Sequence, residues 1–572
     1  TSGTVNNFTY SNIANLIGGT GNDTFEIAAA VGAVNSIDGG TGTNAIDFSD
    51  EVTTAIAVVL TANSANGFDG TAAGKLVDGF SNIGSVTGTT AAAADSLTGQ
   101  DGVGLAANWS IGDVSDSYTF NVVTLAFGGI ESLIGGTTND TFDVQTTRTL
   151  QISDGEGDDA VSVGGDDVLT VGGAGTIDLG EGNDAVTLSV GSQLVGSVLG
   201  GLGDDSLTLA ASSSVTGTFD GGADVDSVDY SGISNNLTVT LTGLSVTPTD
   251  GFTGTAGVTG GFLGIDALLA GSGTDTLVGQ SIDDARWTVN GTGLYRELSA
   301  NLEAVDFSGF EQLQGGTTDD DFRLSATTAG ITAIDGAAGS DRIEGSTLAD
   351  TFNITSLNAG NVTLNTATPG ATISFQSIEA LDANDGDDRF LLGLNGRVSN
   401  VLDGGGDSDT ISAPNLANTF VVNADNGGTL ANATGTLGFA DVENLEGNSG
   451  VDSFTVNAGF TLGGSVTAGA GADVVTLEAG AEVTGNVSLD GNDDTMTLNG
   501  GSSVGGTVTG GTGNETFTLT GAGTVSATID GEAGTDRFDL AAGVMVNGAL
   551  TGGADVDILT TDGSAATTFV ID

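Results

Sequence analysis

Almost every side chain in this sequence that can do chemistry is a carboxylate. The 572 residues carry 74 aspartates and glutamates against 9 lysines and arginines, a formal charge of −65, with no histidine and no cysteine. In the last quarter these acids keep a fixed interval: Asp452, Asp473, Asp494, Glu515, Asp536 and Asp557 are each 21 positions apart. The same interval of 21 links Asp184, Asp205 and Asp226, Asp320 and Asp341, Asp388 and Asp409, and Asp23 and Asn44. Asp140, Asp159 and Asp275 stand in like surroundings. A chain that coils at this interval stacks its acids in a column. At a spacing of about 5 Å two carboxylates repel by about 1 kcal/mol in water, and by several times more at a lower effective dielectric. Such a column requires positive partners, and without thiolates or imidazoles those partners are hard, oxygen-seeking cations rather than zinc or haem iron.

Most of these acids close a glycine-rich turn. Examples are Gly18-Gly-Thr-Gly-Asn-Asp-Thr-Phe25, Gly135-Gly-Thr-Thr-Asn-Asp-Thr-Phe142, Gly200-Gly-Leu-Gly-Asp-Asp-Ser-Leu207 and Gly510-Gly-Thr-Gly-Asn-Glu-Thr-Phe517. Glycine permits positive φ, and the carboxylate adds an anionic oxygen to a turn rich in carbonyls. A second aspartate precedes several of the repeating acids by six residues, at Asp178, Asp220, Asp335, Asp403 and Asp530, and adds ligand candidates. Glu515 and Asn44 depart from aspartate at the key position, which leaves their own sites in question.

The turns resemble the calcium-binding nonapeptide of the RTX proteins, G-G-x-G-x-D-x-U-x, and recur about seventeen times along nearly the whole sequence. The resemblance implies calcium held by carbonyls and carboxylates of successive coils. It also implies a place among the large exoproteins of bacteria, which build adhesin stalks, surface layers and matrix filaments. A calcium-poor cytoplasm and a calcium-rich exterior would then let folding wait for export. The sequence departs from the family in period: the RTX nonapeptide follows itself directly, whereas here one copy falls in each 21-residue interval. Ions are therefore expected along one edge only, since opposite turns such as Asn457-Ala-Gly459 and Asn499-Gly-Gly501 lack the aspartate.

The elements that must carry these turns are short strands. After each acid the apolar slots alternate, first Phe454, Val475, Met496, Phe517, Phe538 and Leu559, then Val456, Leu477, Leu498, Leu519 and Leu540. A second strand repeats Leu462, Val483, Val504, Val525 and Val546, then Val466, Val487, Val508, Ile529 and Leu550. Alternation at period two marks strands with one buried face, and 21 residues are too few for a βαβ unit. The fold class expected is all-β, a right-handed parallel β-helix or β-roll solenoid with about 21 residues per coil. Roughly 25 coils and ~120 Å of length follow from the strand spacing.

One continuous solenoid is expected, a segment of a longer chain. Its modules are 1–34, the end of one module; 35–145 and 219–325, with longer side loops; 146–218 and 446–572, of regular coils; and 326–445, mixed. The steps from Asp95 to Asp140 and from Asp275 to Asp320 are both 45 residues, with Trp109 and Trp287 at matching places, which points to duplication. An aromatic signature marks the irregular modules at Tyr10, Phe80, Phe127, Phe262, Phe307, Phe375 and Phe439, as in Phe127-Gly-Gly-Ile-Glu-Ser-Leu133.

Function classes narrow accordingly. An acidic chain repels nucleic acid and anionic membranes, no run of about 18 apolar residues offers a membrane span, and no leader is visible at Thr1 to Phe8. The expected function is a secreted or cell-surface structural protein, not an enzyme. Its partners are calcium ions, further copies of itself in filaments or arrays, and cell-surface polysaccharide. A calcium-dependent polysaccharide-active enzyme or carbohydrate-binding module is the alternative, and its candidate patch is Arg286, Trp287, Tyr295 and Arg296. An ice-binding solenoid is a lesser one, resting on the file Thr455, Thr476, Thr497, Thr518 and Thr560, which Asp539 interrupts.

Overall fold

Apolar residues two positions apart share a face only in extended chain, and that parity sets the local structure. In the strand Ser453–Val456, Phe454 and Val456 are buried while Ser453 and Thr455 stay half-exposed. A computed structural model describes residues 2–563 apart from 6, 7, 12, 30–32, 103, 104, 246–249, 299–302, 326, 328, 329 and 366–371, and the described residues contain no helix. The chain is an all-β parallel β-helix.

It divides into two compact units, Thr1–Val278 with Leu302–Phe310, and Gly279–Asn301 with Glu311–Asp572. The second unit contains the most regular coils. There Ser453 pairs in parallel with Val474, Val474 with Thr495, Thr495 with Thr516, Thr516 with Arg537, and Arg537 with Ile558. The apolar slots therefore form ladders: Phe454, Val475, Met496, Phe517 and Phe538 are all buried, and the rings of Phe517 and Phe538 stack with centroids 5.1 Å apart. Each coil contributes one strand to this sheet. To a second sheet it contributes a shorter pair, such as Thr461–Leu462 and Val466–Thr467, separated by a glycine bend. In the first unit the same two-sheet plan holds from Asp140–Val144 through Ala160–Val163, Ala185–Leu188 and Ser206–Leu209.

Among the described residues, the extra length of the segments expected to hold longer side loops forms antiparallel meanders inside the sheets. Ala107–Ile111, Asp116–Phe120 and Val123–Gly128 pair antiparallel in succession. The third strand lies parallel on the preceding Ser85–Thr87, and the first lies parallel to the following Asp140–Val144. The same arrangement recurs at Ala57–Ser64 to Leu76–Ile83, Thr238–Leu244 to Thr259–Ile265, Thr351–Ser356 to Thr372–Gln376, and Thr419–Ala424 to Gly435–Ala440. Adding strands in-sheet keeps backbone donors and acceptors paired, which a buried loop would not. Phe80, Phe127, Phe262, Phe375 and Phe439 of the aromatic signature all lie on third strands. Tyr10 falls in Phe8–Ser11, which pairs antiparallel with Ser2–Val5.

The repeated 45-residue step corresponds to a repeated core. Trp109 packs against Tyr118 at 4.5 Å and stacks on Phe142 at 5.3 Å; Trp287 packs against Tyr295 at 4.6 Å and stacks on Phe322 at 5.4 Å.

Because each coil touches mainly its neighbours, damage should remain local. Phe517→Ala removes a buried ring and is expected to cost about 3–5 kcal/mol. Amide hydrogen exchange should show protection lost in the strands flanking Phe517 and kept around Ala160–Val163. A uniform loss along the chain would contradict nearest-neighbour stability.

Candidate cation sites

The parity that buries Leu207 and Leu209 also turns Asp205 inward, two residues earlier, so the acid at the repeating position sits under the turn rather than on it. Its Oδ1 accepts the backbone N–H of Asp184 at 2.8 Å, and its own N–H donates to Oδ1 of Asp226 at 2.8 Å. In the first unit the chain of such bonds runs from Asp140 through Asp159 and Asp184 to Asp226. In the second it links Asp320 to Asp341, Asp388 to Asp409, Asp452 to Asp473 and Asp494, and Glu515 to Asp536 and Asp557. One carboxylate oxygen of each pair is thus spent on the coil before it.

The other oxygen has no hydrogen-bond partner. This holds for buried Oδ2 of Asp23, Asp159, Asp184, Asp205, Asp226, Asp341, Asp388, Asp409, Asp452, Asp473, Asp494 and Asp536, and for both oxygens of Glu515. Asn44 shows what that position faces. Its Oδ1 accepts from Asp23 N–H at 3.0 Å, as an aspartate would, and its Nδ2 donates to the Asn82 carbonyl at 3.1 Å. A Cβ added at Gly39 would meet that Nδ2 at 2.5 Å and that carbonyl at 2.4 Å. A Cβ added at Gly200 would meet Asp205 Oδ2 at 2.1 Å and the Gly221 carbonyl at 2.4 Å. Glycine leaves room for both groups, but where Asn44 sets N–H against C=O, Asp205 sets oxygen against oxygen. A proton or a cation must come between them. The all-oxygen donor set fits calcium.

Burial accordingly pushes these acids up. Desolvation, opposed by the N–H from the coil before and reinforced by neighbouring carboxylates, raises Asp205, Asp341, Asp409 and Asp494 to about 7, and Asp226 and Asp388 to about 8. Burial raises Asp184 and Asp473 as well.

Other acids of the expected set are held differently. Asp275 accepts N–H groups of Leu237 and Gly271, one on each oxygen. Asp320 accepts the Trp287 indole on Oδ1 and the Gly316 N–H on Oδ2, while Asp140 accepts the Trp109 indole at 3.1 Å. Asp557 is half-buried. The second aspartates lie on the opposite parity. Asp178 is exposed, and Asp335, Asp403 and Asp530 accept the N–H two residues on. Asp220 keeps one buried oxygen without a partner. Apart from Asp140, these residues do not join the inward acids in a group of three among the described residues.

The expectation of a single acid edge is corrected. Asp341 and Asp473 lead into one sheet, whereas Asp388 and Asp409 lead into the other. The change of edge comes at Asp350, nine residues after Asp341, which leads into Thr351–Ser356 of the other sheet.

Sequence reasoning missed a group of acids just after the meanders. Glu131, Asp266, Glu379 and Glu443 accept the N–H of Asp95, Asp226, Asp341 and Asp409, taking the place of the next repeating acid. They were legible as the residue after the branched position of the aromatic signature. Sequence reasoning also missed Asp154, whose carboxylate meets those of Asp140 and Asp159 with oxygens all within 4.8 Å of one another.

The candidate sugar patch is not a surface. Trp287 and Tyr295 are fully buried, and Arg286 donates to Asp321 at 3.1 Å, a carboxylate shared with Arg323 and Arg342. A cavity of about 580 Å³ in the first unit is lined by Asp101, Gly102, Leu105, Ala106, Thr137, Thr138 and Asn139, with Asp101 its one ionisable wall. Among known proteins, no family model matches the chain and no curated protein is similar to it.

A buried acid raised above its unfolded value of 3.8 favours folding at pH below that value, and this stability is lost as pH rises through the folded value. Metal-free protein should therefore melt progressively lower as pH rises from 4 through about 7 and 8, where Asp205 and Asp226 ionise. Thermal melts in chelator check this, and a melting point that climbs over that range would refute it. Asp205→Asn should act as Asn44 does. Without metal at pH 8 it should stabilise by about 1–3 kcal/mol, and it should remove the local gain from calcium. Destabilisation in both conditions would contradict the oxygen-against-oxygen reading.

Proposed function

We propose that this chain is an extracellular structural protein, a parallel β-solenoid whose coils are joined by calcium. The reading rests on one observation above all, the succession of buried aspartate oxygens that receive no hydrogen bond, several of them beside backbone carbonyls of the next coil. Calcium suits it better than magnesium. Calcium accepts six to eight carbonyl and carboxylate oxygens at variable angles, whereas magnesium retains water in a tight octahedron that a buried turn has little room for. The repeating acids with a spare oxygen, Asp23, Asp159, Asp184, Asp205, Asp226, Asp341, Asp388, Asp409, Asp452, Asp473, Asp494 and Asp536, are the ligands, and backbone carbonyls add to them, as those of Gly39, Gly221 and Gly552 beside Asp23, Asp205 and Asp536.

The work of such a protein is to hold form outside the cell, as a filament, stalk, surface layer or matrix component. Self-association and cell-surface polysaccharide are its partners in this reading. A catalytic role would need an acid, a base and a charge stabiliser converging on a cleft. Of the arginines in the candidate patch, Arg286 pairs with Asp321, and elsewhere Arg342 pairs with Glu344 and Asp382 and Arg389 with Glu446. Export into calcium would supply the neutralising charge at the moment of folding, each site contributing about 2.7 kcal/mol at a hundred times its dissociation constant.

Circular dichroism during chelation and recalcification tests this. The β signal should collapse over a narrow range of free calcium, return when calcium is restored, and respond far less to magnesium. A signal indifferent to a strong chelator at pH 8 would overturn the proposal.

A further inference from the structure

One coil of the first unit carries an extra inward acid. Five residues before the repeating acid the chain carries glycine at Gly200, Gly221, Gly336, Gly404, Gly447 and Gly531 and an apolar residue at Leu179, Ala383, Ala468 and Leu489, but before Asp159 it carries Asp154. Parity aims this side chain inward, since Leu150, Ile152 and Asp154 alternate on the buried face of Arg148–Glu156. Leu133 pairs with Ile152 and Ile134 with Ser153, which brings Gly135 alongside Asp154. The carboxylate fills the space that glycine leaves, for a Cβ on Gly135 would lie 1.6 Å from Asp154 Oδ1. On its other side the column holds Leu179, which is fully buried.

Asp154 is 6% exposed, and neither of its oxygens has a hydrogen-bond partner. Oδ2 of Asp159 has none either, and Asp140 is held in place by the Trp109 indole. The duplicated module supplies an internal comparison. Asp320 is held by Trp287, and Asp341 follows as Asp159 follows Asp140, but Gly336 stands where Asp154 does and no third carboxylate arrives. Burial and the charges of Asp159, Asp140 and Asp184 push Asp154 above the usual carboxylate range.

We infer that Asp140, Asp154 and Asp159 form a discrete high-affinity site for one hard divalent cation, calcium before magnesium, separate from whatever the regular column binds. Three buried carboxylates each bring an oxygen within 4.8 Å of the others, a hard anionic donor set that suits calcium better than magnesium, which prefers to keep its waters. The site shares Asp159 with the column, but Asp154 is its own and it does not require the other coils to bind calcium.

Trp109 makes the site addressable, because terbium(III), a calcium-sized ion, emits when excited through an adjacent indole. The full chain carrying Trp287→Phe has Trp109 as its one tryptophan. Titrated with terbium it should give indole-sensitised emission that calcium displaces at concentrations at least tenfold lower than magnesium does. Adding Asp154→Gly, which reproduces the sister module, or Asp154→Asn, which keeps the shape, should lower that emission at least tenfold while circular dichroism is unchanged. Emission that is absent from the start, or that survives both substitutions, would overturn the site. Equal displacement by the two ions would overturn its preference for calcium. The outcome is separable from that of the column: loss of terbium emission with a chelator-sensitive β signal removes the triad alone, and the reverse removes the column alone.

Discussion

A buried carboxylate oxygen facing a backbone carbonyl is the constraint on which the rest of this molecule turns. Parallel stacking leaves the first backbone N–H of each strand in need of an acceptor from the next coil, and an inward aspartate supplies it with Oδ1. That solution fixes the side chain so that Oδ2 points at the next turn's carbonyl. Where glycine stands five residues earlier, as at Gly200 and Gly531, the same geometry keeps it, since a Cβ there would collide with both oxygens; Leu179, Ala383, Ala468 and Leu489 take the position in other coils. The unusual charge of the chain is thus partly an internal property, not merely a solvated surface.

The constraint also explains how the coils are varied. A meander can be inserted only if the acid before it still finds an acceptor for its N–H, and Glu131, Asp266, Glu379 and Glu443 provide one from the residue after the buried turn. Where a tryptophan is available, as for Asp140 and Asp320, the indole N–H neutralises an oxygen by hydrogen bonding. Asn44 does so with its own amide. The acids without such help are the ones left open to a proton or an ion.

The fold was legible in the sequence because a strict interval and period-two alternation make every coil announce the same strands. Registers such as Val474 on Thr495 follow from the interval alone. The inward acids were legible for the same reason, as the one polar position that never drifts. Their burial was not, because a turn-closing aspartate looks solvent-facing until parity is traced back from Leu207 and Leu209 to Asp205. The side-loop expectation failed because extra residues between two repeats carry no sign of their direction, and a meander alternates just as a coil strand does. The single-edge expectation failed because a second acid turn, at Asp350, leads into Thr351–Ser356 of the other sheet only nine residues after Asp341. Asp154 escaped notice as a substitution within the glycine motif, visible only once Gly200 and Gly336 are aligned beside it.

Long-wavelength anomalous scattering from crystals grown in millimolar calcium at pH 8 would test the central claim most directly. The account predicts difference peaks between the spare aspartate oxygen and the carbonyl of the next coil, as between Asp205 and Gly221, and no peak where Asn44 meets Asn82. An ordered structure with no anomalous density at any of the aspartates would contradict it, and would leave protonated acids as the means by which these coils hold together.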